Sequence, residues 1–190
     1  SKIPTHYFKD IVSIESLDLL RVEENDRIQI KEDETINVFV ERIAKRFDHY
    51  IPTISKILRD NKNNLSKPFV SKDGVMPFPL KEAEIAMRAP SNCMWAVILR
   101  QNTKDNAFYL YKDETLYNHP THPKMSKAVF LLHEIIFNEG LKRGHTSSLN
   151  TQYLVSLLIK NNITVKEVAK ELVALNFSEV KEYRLEAYPY

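Results

Sequence analysis

His133 and Glu134 stand side by side in Leu131-Leu132-His133-Glu134-Ile135-Ile136-Phe137. An adjacent His-Glu pair on a helix is half of the zinc metalloprotease pattern. That pattern needs a second histidine four residues on, so that both imidazoles reach one metal from one face. Here that position is Phe137, and the zincin reading fails at its essential residue. Two readings of the pair remain. His133 shares its helical face with Val129, Phe130, Ile136 and Phe137, so its imidazole points into a core or a pocket. Glu134 shares a boundary face with Lys127, Leu131, Asn138 and Leu141. An unpaired buried carboxylate or imidazolium is costly, so each side chain needs a partner. In the structural reading both pin the helix to neighbouring segments. In the site reading Glu134 acts as general acid or base, or His133 ligates a metal.

Other groups could join such a site. His145 lies just past the helix exit, and His119 and His122 flank its entry in a proline-braced loop. Entry and exit of a helix of this length lie roughly 20 Å apart at 1.5 Å per residue, so the two sets cannot both reach His133. His133 with His145 is the candidate metal pair. No cofactor is called for otherwise, and zinc is the alternative. The stretch Gly144-His145-Thr146-Ser147-Ser148 precedes a helix whose N–H groups could hold an anion, although an ordinary cap explains it as well. No nucleophile elbow accompanies these serines. The single cysteine, Cys93, sits beside Met94 and Trp95 and reads as a small buried apolar residue; the alternative is a reactive thiol.

The elements that position these residues follow from periodicity. Thr35 caps a helix whose apolar face is Ile36, Phe39, Val40, Ile43, Phe47 and Tyr50. Pro52 ends or kinks it near Tyr50, and Thr53 caps a short second helix with Ile54, Ile57 and Leu58. From Ser66 to Pro90 a proline-rich stretch crosses the surface. A hairpin is expected next: Met94 to Leu99 as one strand, Asn102 to Asn106 as the turn, Ala107 to Tyr111 as the return. Ser126 caps the His-Glu helix, Met125 and Phe130 stand at hydrophobic-staple spacing, and Gly140 or Gly144 supplies its left-handed exit. Ser147 caps a helix with Tyr153, Leu154, Leu157 and Leu158 as its stripe. Thr164 and Glu167 form a capping box for a last helix to about Leu175. Near the N-terminus, 13–20 reads as a short helix and 27–30 as a strand. Residues 183–190 read as an edge strand or docked tail. The sum is an α+β class: a helix-rich single domain (34–190) with a small antiparallel hairpin or sheet packed on helices, preceded by an N-terminal segment (1–33).

The chain has 190 residues, 43% of them apolar, enough for a real core. With 27 basic and 25 acidic residues the net charge is +2, and nothing demands a polyanionic partner, so nucleic-acid binding is not expected. No apolar run nears the roughly 20 residues of a membrane span.

The C-terminal half carries a further pattern. It runs from Cys93 through Phe108-Tyr109-Leu110-Tyr111-Lys112-Asp113, Leu116-Tyr117, Lys127-Ala128 and His133-Glu134 to Gly144, Ser148 and Thr151-Gln152-Tyr153-Leu154-Val155. With Ile14-Glu15-Ser16-Leu17-Asp18, this resembles a family of uncharacterised exported proteins of Gram-negative bacteria with a His-Glu-x-x-Tyr helix. The likeness covers roughly Asp10 to Ile159. Phe137 stands where that family usually has tyrosine, and Gln152 where arginine is common. The resemblance implies export to the periplasm or beyond, and an envelope component. It implies no activity. The expectation is therefore an envelope-associated binding or structural protein without catalysis. The alternative is a hydrolase or metal-dependent enzyme using His133 and Glu134.

Overall fold

The computed structural model describes residues 16, 18–63, 70–71, 99–104, 107–178 and 180, with backbone alone at 70–71, 99–104 and 107–112. The helices are α1 (Ile36–Lys45), α2 (Pro52–Asn61), the short α3 (Glu114–Tyr117), the long α4 (Lys124–Lys142), α5 (Leu149–Leu158) and α6 (Val165–Ala174). Two 3-10 turns, Leu19–Arg21 and Glu24–Asp26, precede them. α4 is the central rod: α1, α2 and α5 pack on it, α1 packs on α2, and α6 packs on α5.

Local chemistry starts α1 and α6 where the sequence indicates. The Thr35 side chain accepts from Val38 N–H at the start of α1. Thr164 and Glu167 close a reciprocal capping box on α6, which satisfies two N–H groups that a helix start otherwise leaves bare. Three starts differ. α1 ends at Lys45, ahead of Pro52, and Pro52 is the first residue of α2 rather than the end of α1; its missing N–H costs nothing there. α4 begins at Lys124 after Pro123, so Ser126 lies inside the helix and is not its cap. α5 is preceded by Ser148 rather than Ser147.

The α+β expectation is overturned. Among the residues described with their side chains, all regular structure is helical, apart from a single bridge between Arg27 and Lys160. The hydrophobic core is built from α1, α2, α4, α5 and α6 with their connections, and holds Phe39, Ile43, Ile54, Leu58, Leu132, Ile136, Leu154, Leu158, Leu172 and Phe177. Each helix buries its apolar stripe against another helix, so no sheet is needed to cover it. The backbone of Leu99–Lys104 and Ala107–Lys112 pairs antiparallel. Its first strand begins at Leu99, and Asn102 to Lys104, expected in the turn, are paired strand residues. Arg27–Ile30, expected as a strand, makes only the Arg27 bridge. Cys93, the stretch from Ser66 to Pro90 and the tail 183–190 lie outside the described residues, apart from Val70–Ser71.

The N-terminal segment packs onto the same core through Leu19, Val22 and Ile28. Ile28 N–H donates to the Ile159 carbonyl at 2.8 Å, and Asn161 N–H to the Asp26 carbonyl at 2.8 Å. Arg46 reaches across and caps the end of α5, donating to the carbonyls of Leu158 (2.9 Å) and Asn161 (3.1 Å).

Gly144 has φ +86° and makes the left-handed exit of α4. Gly140, by contrast, is helical, and a Cβ there would meet His145 Cβ and Leu175 Cδ2 at 3.6 Å. These are ordinary contacts. Gly140→Ala is therefore expected to stabilise the protein by about 0.5–1 kcal/mol through helix propensity, read as a raised Tm.

Candidate functional site

His133 stands halfway along α4. Its Nδ1 lies 3.0 Å from Asp18 Oδ2, a contact between residues 115 apart in the chain. The Asp18 side chain is 3% exposed and that of His133 15%. Asp18 is held by a local turn. Ser16 Oγ donates to Asp18 Oδ2 (3.1 Å), and Asp18 N–H donates back to Ser16 Oγ (3.3 Å). Such a loop is what a Ser-x-Asp triplet makes when its side chains compete for the backbone. Ser16 N–H in turn donates to Ser126 Oγ on α4 at 2.7 Å. Ser126 is fully buried about two turns before His133, so α4 grips the incoming chain at two points. The serine expected to cap α4 thus binds the backbone of another segment.

A third tie follows at once. Arg21 Nη2 donates to Gln152 Oε1 on α5 (2.9 Å), and its guanidinium lies 4.6 Å from the centre of the Tyr153 ring, a cation–π geometry. Gln152 Nε2 donates to Ser148 Oγ (3.3 Å). Gln152 thereby uses both ends of its amide. Tyr153, expected in the apolar stripe of α5, is 44% exposed. Two atoms of this cluster, Asp18 Oδ1 and Arg21 Nε, are buried without a hydrogen-bond partner.

Glu134, next to His133, is buried at 6% rather than sitting on a boundary, and it is not without a partner. Neighbouring residues on a helix point about 100° apart, so Glu134 and His133 do not converge on one point. His133 is brought to Asp18, with the Phe137 ring 6.0 Å away. His145 lies against Gly140, about 10 Å further along the helix axis. Its N–H donates to the Gly140 carbonyl at 3.0 Å, and its Nε2 is buried without a partner. Among the described residues no group of three or more His, Cys, Asp or Glu could hold a metal ion.

At the entry of α4, His122 Nδ1 lies 3.0 Å from the Tyr117 carbonyl. A carbonyl only accepts, so Nδ1 carries the proton. His119 Nδ1 is taken by Thr121. Both imidazoles are thus engaged within the turn at 117–122.

Charge elsewhere is committed to structure. Glu34, buried behind the start of α1, takes a two-pronged bond from Arg42 (Nε to Oε1 2.8 Å, Nη2 to Oε2 2.7 Å) and one from Lys31 N–H (3.0 Å). The Arg42 hydrogen bond, first, and that backbone bond hold its carboxyl down to about 2 against the opposing pull of burial. At the exit of α4, Glu139 accepts from Lys142 (2.5 Å) and Arg143 (2.7 Å). Burial pushes the Glu139 carboxyl up, the two cations pull it down, and the net direction is down.

Asp18, Ser16, Ser126 and Arg21 are the partners the sequence reading missed. The Ser16-x-Asp18 triplet was the available signal, since it favours a turn over the helix expected at 13–20. No helix of the described residues is long and apolar enough to cross a membrane. Compared with known proteins, the chain matches no family model, no curated protein and no solved structure.

Proposed function

We propose that this chain is a non-catalytic binding or structural protein in which the polar side chains of α4 fasten the N-terminal segment onto the helical body. One observation carries the reading: the His133 imidazole, the residue best suited to chemistry, is bonded to the buried Asp18 of a segment 115 residues away. Ser126 and Gln152 extend the same seam to Ser16 and Arg21. A seam of hydrogen bonds between distant segments is what a structural pin requires. The resemblance to exported proteins supports a location in the periplasm or outside the cell; export is tested by fractionation of the native host.

The enzyme alternative retains one observation. A buried aspartate bonded to histidine Nδ1 is also how hydrolases orient a catalytic base. Metal content and thermal stability separate the two. The pin reading expects no stoichiometric metal, no rise in Tm on adding zinc, and a lower Tm in His133→Ala. Stoichiometric zinc that is lost in His133→Ala would overturn it.

A further inference from the structure

His122 occupies the one turn that joins α3 to α4. Its residue is 4% exposed. The ring is wedged edge-on between two aromatic faces, with Tyr117 at 5.6 Å and 72–85° tilts to both rings, and Phe130 of α4 at 5.3 Å. Nδ1–H is already spent on the Tyr117 carbonyl, and Nε2 is buried with no hydrogen-bond partner. A proton can be added only at Nε2. It would create a buried cation between two aromatic rings, which is costly.

We infer that His122 is an acid-sensitive latch: while neutral it holds α3 and the loop 118–123 on the start of α4, and its protonation releases them. The charged and titratable groups around it, among the described residues, favour the neutral form. Lys127 of α4 lies 5.4 Å from the centre of the Tyr117 ring. Its charge and that of His119 oppose a second cation at His122. On α3 the Glu114 carboxylate accepts from Asn118 at 2.7 Å, and Tyr117 presents its carbonyl. Burial, the largest cause, pushes the imidazole below its ordinary value of 6.5, against the pull of the Tyr117 and Leu116 backbone groups.

The direction follows. A histidine lowered in the fold contributes stability that is full above about 6.5 and is lost as pH falls toward and through its folded value. The segment released is small, because Leu116 is the buried apolar residue of α3, while the main core lies elsewhere. Release is therefore local and not global unfolding. It uncovers the Phe130 face of α4.

Hydrogen exchange of the full chain at about pH 7.5 and about pH 5, corrected for intrinsic rates, tests this. Ordinary carboxylates titrate below that window. Protection at 114–123 is expected to fall by up to about tenfold per pH unit below 6.5, one proton's worth. Protection in α1 and α2 stays constant. The dependence has to vanish in His122→Gln and in His122→Phe, which fills the space between the rings without titrating, and has to persist in His119→Gln. Equal protection at both pH values in the wild type, dependence surviving in His122→Phe, or loosening of all helices together would overturn the latch.

Discussion

Replacing His133 with alanine is expected to lower stability by about 2–4 kcal/mol, and Asp18→Ala by a similar amount. The basis is asymmetry. Removing one member of a buried polar pair leaves the other desolvated, which costs more than the bond itself contributes. Asp18 has little else to fall back on: its Oδ1 is buried without a partner, and its Oδ2 would keep only the Ser16 hydroxyl. The loss spreads along the seam. Leu19 and Val22, which enter the core next to Asp18, are placed by the same turn. Denaturant unfolding reads the loss directly. The first part of the protein to gain hydrogen exchange in either variant is expected to be 18–22.

The second large effect is at the other side of the bundle. Arg42→Met keeps the aliphatic stem of Arg42 and removes the guanidinium, leaving the buried Glu34 carboxylate with only Lys31 N–H. We expect a loss of about 2 kcal/mol at neutral pH; the Arg42 side chain is 34% exposed, so solvent screening trims the full value of the pair. The sign with pH is fixed by the lowered carboxyl. A carboxyl lowered to about 2 contributes stability that is complete above its ordinary 4.5 and disappears as pH falls through 2. Wild type and Arg42→Met should therefore differ most above 4.5 and converge toward pH 2. A difference that stays constant down to that pH would mean the loss comes from packing and not from the ion pair.

The helices were legible because their signals are local. Thr35 and the Thr164-Glu167 box act within one turn, and the apolar steps of α1 and α4 recur every three or four residues. The face of His133 was legible for the same reason: Val129 and Ile136, expected beside it, are fully buried. What His133 meets was not legible. Asp18 is 115 residues away, and periodicity says which face is buried without saying what covers it. Ser126 shows the same limit. A serine two residues past the helix start looks like a cap, yet its hydroxyl takes the Ser16 N–H because packing brings that segment within reach. The α+β reading failed differently. The aromatic run Ala107 to Tyr111 does form a strand, but strand signals do not reveal how the helices pack, and among the residues described with their side chains the helices bury one another.

The central claim is that His133 and Asp18 work on each other. A double-mutant cycle on Asp18→Ala and His133→Ala, followed by urea unfolding, tests it most directly. Each replacement removes the contact and supplies no new hydrogen-bond partner. The two losses are expected not to add, with a coupling of about 1.5 kcal/mol or more. Additive losses would contradict it, since the contact would then be proximity without interaction, and His133 would be free to serve a ligand.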